Sequence, residues 1–524
     1  MPLNPRLVVA WLAFLAAGTF FALMNPLGEG FDEPFHLAYL QYLVQTGNVP
    51  LGHSMHVSEQ IDFFLHNQPV SWGLRTNFPA LLAHEDYWAQ PNRDKMDGLS
   101  SELRFSGPYV EATSDVSGQY EAHQPPLYYL LTSPAFAVVS RLSSFLSTFL
   151  WMRLVSVAIA SLVVPGSFFL ARGILKYDTA AASVTAIVVL FPGLYPDLFR
   201  ISNDALTVPV ACWSFVFLVS FLEKRRPVHL YGLSALMIVG LWTKAFFIPI
   251  LAAVFLALLC FSEIRAALTV LLSSTLGLPW YLYNLAHSGS LTGLPETVAA
   301  NTSMLSSARA LWALDWKNVL NVLVSSHIWI GNWSFLGVRS WMYRAIFWFF
   351  LWGLVGLLGR STRSNRGVIT LVTAYLVFAG ALVYYATQVF QQTGTSVAEG
   401  WYLTTFLPVE ALLFVAGVRS VFRQHWKWAA ATMKLFLIAL LAYSAAFVSL
   451  PYYAGITSHK PDGHLATYHP QLSDFSLMPL RLLRFHSWIP GWLPWLLLCA
   501  VIAFGLYSIE RTIRQGLREN MGIV

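Results

Sequence analysis

Apolar residues fall in long blocks, separated by short polar stretches, along most of this 524-residue chain. A helix needs about 20 mostly apolar residues to cross a bilayer. On that criterion the pattern predicts spans near 7–25, 151–171, 179–196, 206–222, 229–243, 245–261, 267–285, 341–358, 368–387, 402–418, 429–450 and 491–509. The segment 127–148 is also apolar, but its Pro, Ser and Arg141 make it an interfacial helix, a partly inserted one or a thirteenth span. The expected fold is all-α: a polytopic membrane bundle of about 12 transmembrane helices.

Between the spans, three polar stretches are long: 26–126, 286–340 and 451–490. A loop of about 100 residues in a compact protein is expected to carry structure of its own. Within it, 34–46 has apolar residues at helical spacing and predicts an amphipathic helix on the membrane surface, ended by Gly47 and Pro50. The segment 311–330 reads the same way. The chain divides into a module over 1–420, containing the first long loop, and C-terminal spans over 421–524. The first span reads as an uncleaved anchor, because its apolar run is long and no small-x-small cleavage site follows it.

Composition supports the membrane reading. Only 11% of residues are charged and 56% are hydrophobic, against about 25% charged in soluble domains. This excludes a soluble enzyme, a disordered chain and a nucleic-acid-binding domain. Aromatic residues are abundant, as expected of a protein with two membrane interfaces to line. Cys212, Cys260 and Cys499 lie in apolar runs and offer neither a disulfide framework nor zinc spacing.

The net charge of +6 is an orientation signal. With the N-terminus inside, Arg6, Arg172, Lys176, Lys224, Arg225, Arg226, Arg265, Arg360, Arg363, Arg366, Arg419, Arg423, Lys427, Arg511, Arg514 and Arg518 all fall in short inner segments, 16 of the 32 basic residues. A thirteenth span at 127–148 would break this alternation. The acids are biased oppositely: 13 of 26 lie between Glu29 and Glu121, in the first outer loop. The expected placement puts both termini on the inner side and the working face on the outer side, which in a bacterial inner (plasma) membrane means cytoplasmic termini and a periplasmic face. The sequons at Asn301 and Asn332 lie in the outer loop 286–340 and matter only in a host that glycosylates them.

Five motifs gather at outer helix ends. Asp32-Glu33-Pro34-Phe35-His36 follows the first span, and Asp32 and His36 share a helix face if a helix starts there. A carboxylate beside an imidazole can take a proton from a hydroxyl; Asp32 reads equally as a helix N-cap. Tyr120-Glu121-Ala122-His123-Gln124-Pro125-Pro126-Leu127-Tyr128-Tyr129 marks re-entry of the long loop, as a binding element or an interfacial aromatic anchor. Arg200 and Asn203-Asp204-Ala205 sit between two spans, where an ionisable group is either functional or a cap paired with Arg200. Lys244 lies between two apolar spans and reads as a snorkelling lysine or as a compact charge for a phosphate. Glu399-Gly400-Trp401-Tyr402 opens a late span. A donor with its phosphate at the membrane surface and its tail in the bilayer would suit this placement.

These motifs resemble those of the GT-C superfamily of polytopic glycosyltransferases, whose mark is an acidic pair at the start of the first outer loop, here Asp32-Glu33. They are closer still to a set of predicted bacterial membrane proteins with D-E-P-x-H, H-x-P-P-L-Y-Y, N/S-x-D-A and G-R-Y elements. Order and spacing agree over residues 1–420, with Trp401 standing where the group usually has Arg.

The resemblance implies transfer of a sugar, hexosyl or pentosyl, from a polyprenyl-phosphate donor to a lipid, glycan or protein acceptor, with inversion. Asp32 would be the general base, with Glu33 and His36 orienting it or binding the acceptor. His123, Gln124, Asn203 and Tyr402 would bind substrate. Asp204 would hold sugar hydroxyls or, with Asp32, a divalent metal; two acids on separate loops allow Mg²⁺ or Mn²⁺ without requiring either. Lys244 and Arg200 would stabilise the departing phosphate. The partners expected are the lipid donor, the acceptor and membrane lipids, with no nucleic acid. Two alternatives remain. A secondary transporter would place ionisable residues at mid-membrane on repeated halves. A lipid-linked polysaccharide ligase or polymerase would use a late outer loop such as 451–490, which holds His459, Lys460, His464, His469, Arg481 and Arg484. The His-Glu-x-x-His element of an intramembrane metalloprotease is absent.

Overall fold

A computed structural model of the chain describes residues 4–52, 55–294, 303–461 and 463–520. The Asn301 sequon lies outside the described residues. Those described form helices and connecting loops, with only isolated β-bridges such as Ser58 with Glu111. Among the described residues eight helices are long and apolar enough to cross a membrane, including Pro5–Met24, Asp204–Lys224, Arg366–Thr393 and Leu493–Gln515. Two bent pairs, Asp178–Leu190 with Pro192–Leu198 and Ile264–Gly277 with Pro279–Ser288, raise the number to ten. Helices Pro227–Leu241 and Phe247–Cys260 are shorter. The twelve expected segments are each occupied by helix, and a count of twelve spans requires that this short pair cross as well. The protein is an integral membrane protein.

The bends have local causes. Pro192 cannot continue the backbone ladder of Asp178–Leu190, and the chain turns by 59° after it. That turn lays Asp197 and Arg200 across the end of the bundle. Elsewhere, helices Ser340–Val355 and Leu407–Phe422 touch backbone to backbone. A Cβ on Gly356 would stand 2.0 Å from the Gly417 carbonyl oxygen, so only small residues permit this approach.

The segment 127–148 does not cross the bundle. Its helix, Leu127–Leu142, starts with the Leu127 N–H on the Trp242 carbonyl (3.0 Å). It ends at Ser143, and two residues later the Phe145 N–H meets the Leu103 carbonyl in the first long loop (3.0 Å). The helix expected at 34–46 forms as Glu33–Thr46 and ends at Gly47 with φ 72°. It is largely enclosed, with Tyr39, Leu40 and Gln41 at 0% exposure. The apolar stretch 311–330 starts its helix at Trp316, because Asp315 accepts from the N–H groups of Lys317 and Asn318. The other sequon asparagine, Asn332, is buried with its amide on the Tyr453 hydroxyl (3.3 Å), and has no room for a glycan.

The first and last helices pack together at the end of the bundle opposite Asp32. There Lys434, fully buried, donates to the hydroxyls of Thr512 (2.7 Å), Ser508 (3.0 Å) and Ser183 (3.3 Å).

Candidate active site

The site is built where the first span leaves the bundle. Glu33, in the first turn of Glu33–Thr46, is at 0% exposure and faces Arg153. Its oxygens take the Nε and Nη2 of that guanidinium at 2.7 and 2.6 Å, and also accept the N–H groups of Gly28, Gly30 and Ile201. The remaining donors of Arg153 go to the carbonyls of Ala22, Asn25 and Pro26. All five guanidinium protons are placed. Glu33 therefore fixes the path of the loop, and its saturated lone pairs leave it no reacting role. Glu33 and Arg153 together hold the loop that carries Asp32.

Asp32 is its opposite. It occupies the N-cap position of Glu33–Thr46, yet its side chain makes no capping hydrogen bond. Its backbone is left-handed, φ 54°, and its side chain is half-buried. A non-glycine residue held left-handed carries strain of about 1–3 kcal/mol, and such residues cluster at functional sites. The capping explanation for an acid at this position is removed.

His36 is buried one turn on, with Nδ1 2.7 Å from the Tyr129 hydroxyl and 3.5 Å from Glu121 Oε2. Tyr129 stacks on Tyr39 at 3.6 Å between centroids. Glu121, in the short helical turn Tyr120–His123, is buried, and its Oε2 has no hydrogen-bond partner. Burial, then the charge of Asp32, pushes the Glu121 carboxyl well above the usual range. Burial, then the charges of Arg200 and Lys244, holds His36 well below its ordinary value. Both shifts favour a protonated carboxyl beside a neutral imidazole. Glu121 falls inside the Tyr120–Tyr129 stretch that the sequence marks, but the sequence assigned it no role; its burial beside His36 singles it out.

Across from this pair, Asp204 joins the two cations. Its Oδ1 accepts from Lys244 Nζ at 2.5 Å, and its Oδ2 from Arg200 Nη2 at 2.8 Å and Ser202 Oγ at 3.0 Å. Arg200 also reaches Asp197 and the carbonyl of Phe31, the residue before Asp32. Lys244 sits at the tip between Pro227–Leu241 and Phe247–Cys260. Helices of 15 and 14 residues extend roughly 21–23 Å, short of a hydrocarbon core of about 30 Å. The Lys244 ammonium is largely enclosed, at 12% side-chain exposure.

The remaining polar motifs are linked directly. Asn203 Nδ2 donates to Gln124 Oε1 (2.9 Å) and to the Thr243 carbonyl (3.1 Å), and Gln124 Nε2 lies 3.0 Å from His123 Nε2. The buried Asn203 Oδ1 has no partner. Trp401 stacks on Phe31 at 4.5 Å, with Trp333 edge-on to the same ring at 5.5 Å. Tyr402 stands at the margin, reaching Phe246, whose ring lies under Lys244 Nζ at 4.6 Å. Gly400 permits this seating: a Cβ there would stand 1.9 Å from the Leu323 carbonyl oxygen. Beneath it, His327 Nε2 pairs with Glu410 Oε2 at 2.7 Å, a buried contact between distant segments that sequence spacing did not reveal.

The structure thus brings Asp32, His36, His123, Gln124, Arg200, Asn203, Asp204 and Lys244 into one cluster, with Tyr402 at its edge and Glu33 behind it. The metal role considered for Asp32 and Asp204 does not fit. Both oxygens of Asp204 are held by cations, and a divalent ion there would meet Arg200 and Lys244. Among the described residues no group of three or more His, Cys, Asp or Glu side chains is arranged to hold a metal.

No protein-family model matches this chain, and no curated protein does. Among solved structures it is similar to the crystal structure of ArnT from Cupriavidus metallidurans bound to undecaprenyl phosphate. That match has 13% identity and a TM-score of 0.46, and covers 98% of this chain and 77% of that one. It is also similar to the archaeal oligosaccharyltransferase AglB from Archaeoglobus fulgidus in complex with an inhibitory peptide and a dolichol-phosphate, at 12% identity and a TM-score of 0.43. There the match covers 89% of this chain and 56% of that one, so this chain spans little more than half of AglB.

Proposed function

We propose that this chain is a membrane glycosyltransferase of the GT-C kind, moving one sugar from a polyprenyl-phosphate donor to an acceptor hydroxyl. The observation that carries the reading is Asp32: a strained, half-buried carboxylate not used for capping, next in the chain to Phe31, whose carbonyl accepts from the Arg200 of the Arg200–Asp204–Lys244 group. In this reading the donor phosphate meets Lys244, with its prenyl tail among the apolar helices. Asp32 takes the acceptor proton as the acceptor oxygen attacks the anomeric carbon. The bond from that carbon to the phosphate oxygen breaks on the opposite face, which inverts the centre. A phosphodiester with one negative charge then becomes a phosphomonoester with two. Lys244 and Arg200 stabilise the added charge, which is where electrostatic catalysis acts. Asp204 is their counterion and keeps them in place before the donor arrives. The sugar lies along His123, Gln124 and Asn203, and Trp401 and Tyr402 wall the site.

The basic residues along the inner ends of the spans support both termini on the inner side and the site on the outer face, which in a bacterial plasma membrane is the periplasmic one. The ligase alternative draws little support from 451–490. His459 pairs with Glu85 (3.2 Å) and Arg484 with Asp97 (3.0 Å), so these residues anchor the late loop to the first one. The test is to incubate purified protein with a panel of polyprenyl-phosphate sugars and a mixed acceptor fraction, measuring release of polyprenyl phosphate. Release with at least one donor is expected. Turnover that persists undiminished in Asp32→Asn would overturn the assignment.

A further inference from the structure

A second polar site lies about one helix length from Asp32, at the start of Pro5–Met24. It is a cleft between the first helix, Asp178–Leu190 and Leu493–Asn520. Arg6, Thr179, Ser508, Arg511, Thr512 and Gln515 line its mouth, and Leu7, Ala10, Phe168 and Phe504 line its apolar part.

The polar groups here present donors. Behind the wall, buried Lys434 donates to the Ser508 and Thr512 oxygens. The Ser508 oxygen accepts that bond, so its own O–H must point elsewhere, and no acceptor takes it among the described residues. Thr179 donates to Gln515 Oε1 (2.7 Å), which fixes that amide oxygen and turns the Gln515 NH₂ outward. Among the described residues neither Arg6, Arg511 nor Lys434 has a carboxylate partner. The acids nearest in sequence are already paired, Asp178 with Arg172 (2.7 Å) and Glu510 with Arg514 (2.5 Å). Thus two cations, Arg6 and Arg511, line one cleft with a hydroxyl and an amide, and among the described residues no carboxylate lines it.

We infer that this cleft binds the phosphate group of an anionic membrane lipid. A phosphate offers several acceptor oxygens that Arg pairs with at short distance. The enclosed part is about 30 Å³, room for a single oxygen-sized group, so the phosphate rests at the mouth with one oxygen directed toward Ser508. The apolar lining continues from the mouth along the first and last helices and accepts the start of an acyl chain. That continuity favours a lipid over a soluble anion. The site ties the two terminal helices together and is independent of the chemistry proposed at Asp32.

The test uses the full purified chain in a neutral detergent, with thermal unfolding followed by tryptophan fluorescence. Phosphatidylglycerol, phosphatidylcholine and inorganic phosphate are titrated separately at constant ionic strength. Phosphatidylglycerol is expected to raise the transition temperature saturably, and the other two are not. In an Arg6→Gln/Arg511→Gln variant, whose changes lie on half-buried and exposed side chains, half-saturation should move to about tenfold higher lipid. Ser508→Ala should give a smaller shift in the same direction. The inference is overturned if the double variant responds like the parent, if phosphatidylcholine works as well as phosphatidylglycerol, or if inorganic phosphate alone reproduces the effect.

Discussion

Asp32 and Glu33 are adjacent acids with opposite duties, and substitution separates them. Asp32→Asn removes a charge and the base but keeps the shape. Asn tolerates the left-handed conformation at least as well as Asp, and no capping hydrogen bond is lost. The transition temperature should therefore stay near that of the parent. The turnover rate should fall by about 10²–10⁴, the usual contribution of a positioned general base. Glu33→Gln is also isosteric, but it leaves the guanidinium of Arg153 at 0% exposure without its anion. Breaking one partner of such a pair costs about 3–5 kcal/mol. This variant should unfold at clearly lower temperature, with the loss of activity following the loss of folded protein. The two quantities are read on one preparation: thermal unfolding by tryptophan fluorescence in detergent, and release of polyprenyl phosphate per folded molecule. Asp32→Ala adds a check, since alanine keeps the backbone strain without a polar side chain and should lose about 1–3 kcal/mol as well as activity. The reasoning is refuted if Asp32→Asn destabilises as much as Glu33→Gln, or if Glu33→Gln is stable and inactive.

Three further outcomes follow from the site. Lys244→Met should lower kcat/KM by about 10²–10³, as removal of a charge-stabilising donor does, and the deficit should persist at saturating acceptor; wild-type kinetics would exclude Lys244 from the phosphate site. Glu121 is held protonated, so the folded chain binds one proton more than the unfolded chain at pH values above the ordinary carboxyl range. Stability from this group is full at low pH and is lost as pH rises to its raised value; Glu121→Gln, which mimics the protonated acid, should flatten the stability-versus-pH curve, and an unchanged slope would assign the dependence elsewhere. Gly400→Ala should destabilise by about 1–3 kcal/mol through overpacking and impair turnover, because the added carbon meets the Leu323 carbonyl and displaces Trp401 from Phe31; a neutral outcome would show that the loop moves freely.

The uneven legibility of the site has physical causes. Asp32, Arg200, Asp204 and Lys244 were visible because a charged residue at the end of an apolar block is unusual, and so marks itself. Glu121 was harder to find, since it sits among thirteen acids in one loop and only its burial beside His36 distinguishes it. Arg153 was silent. It lies inside the apolar helix Phe145–Ala160, 120 residues from Glu33, and no periodicity links the two. His327 and Glu410 are hidden for the same reason.

By itself the sequence determined the medium and the plan of this protein. Runs of apolar residues can satisfy their backbone in a bilayer only as helices, and the scarce charges must then gather at helix ends. The all-helical bundle and the clustering of candidate motifs at one end follow from that. Tertiary structure decided what each charge does. Asp32 and Glu33 are indistinguishable as neighbours in a chain; one is left half-buried with no capping bond and the other meets a buried guanidinium, because the turn at Pro192 and the packing of Phe145–Ala160 bring Arg200 and Arg153 to different sides of the same loop. The same holds for Asp204, whose pairing with Lys244 at 2.5 Å and with Arg200 at 2.8 Å no spacing in the chain announced. Charge–charge energies depend on distance and surrounding dielectric, and neither is written in the order of residues.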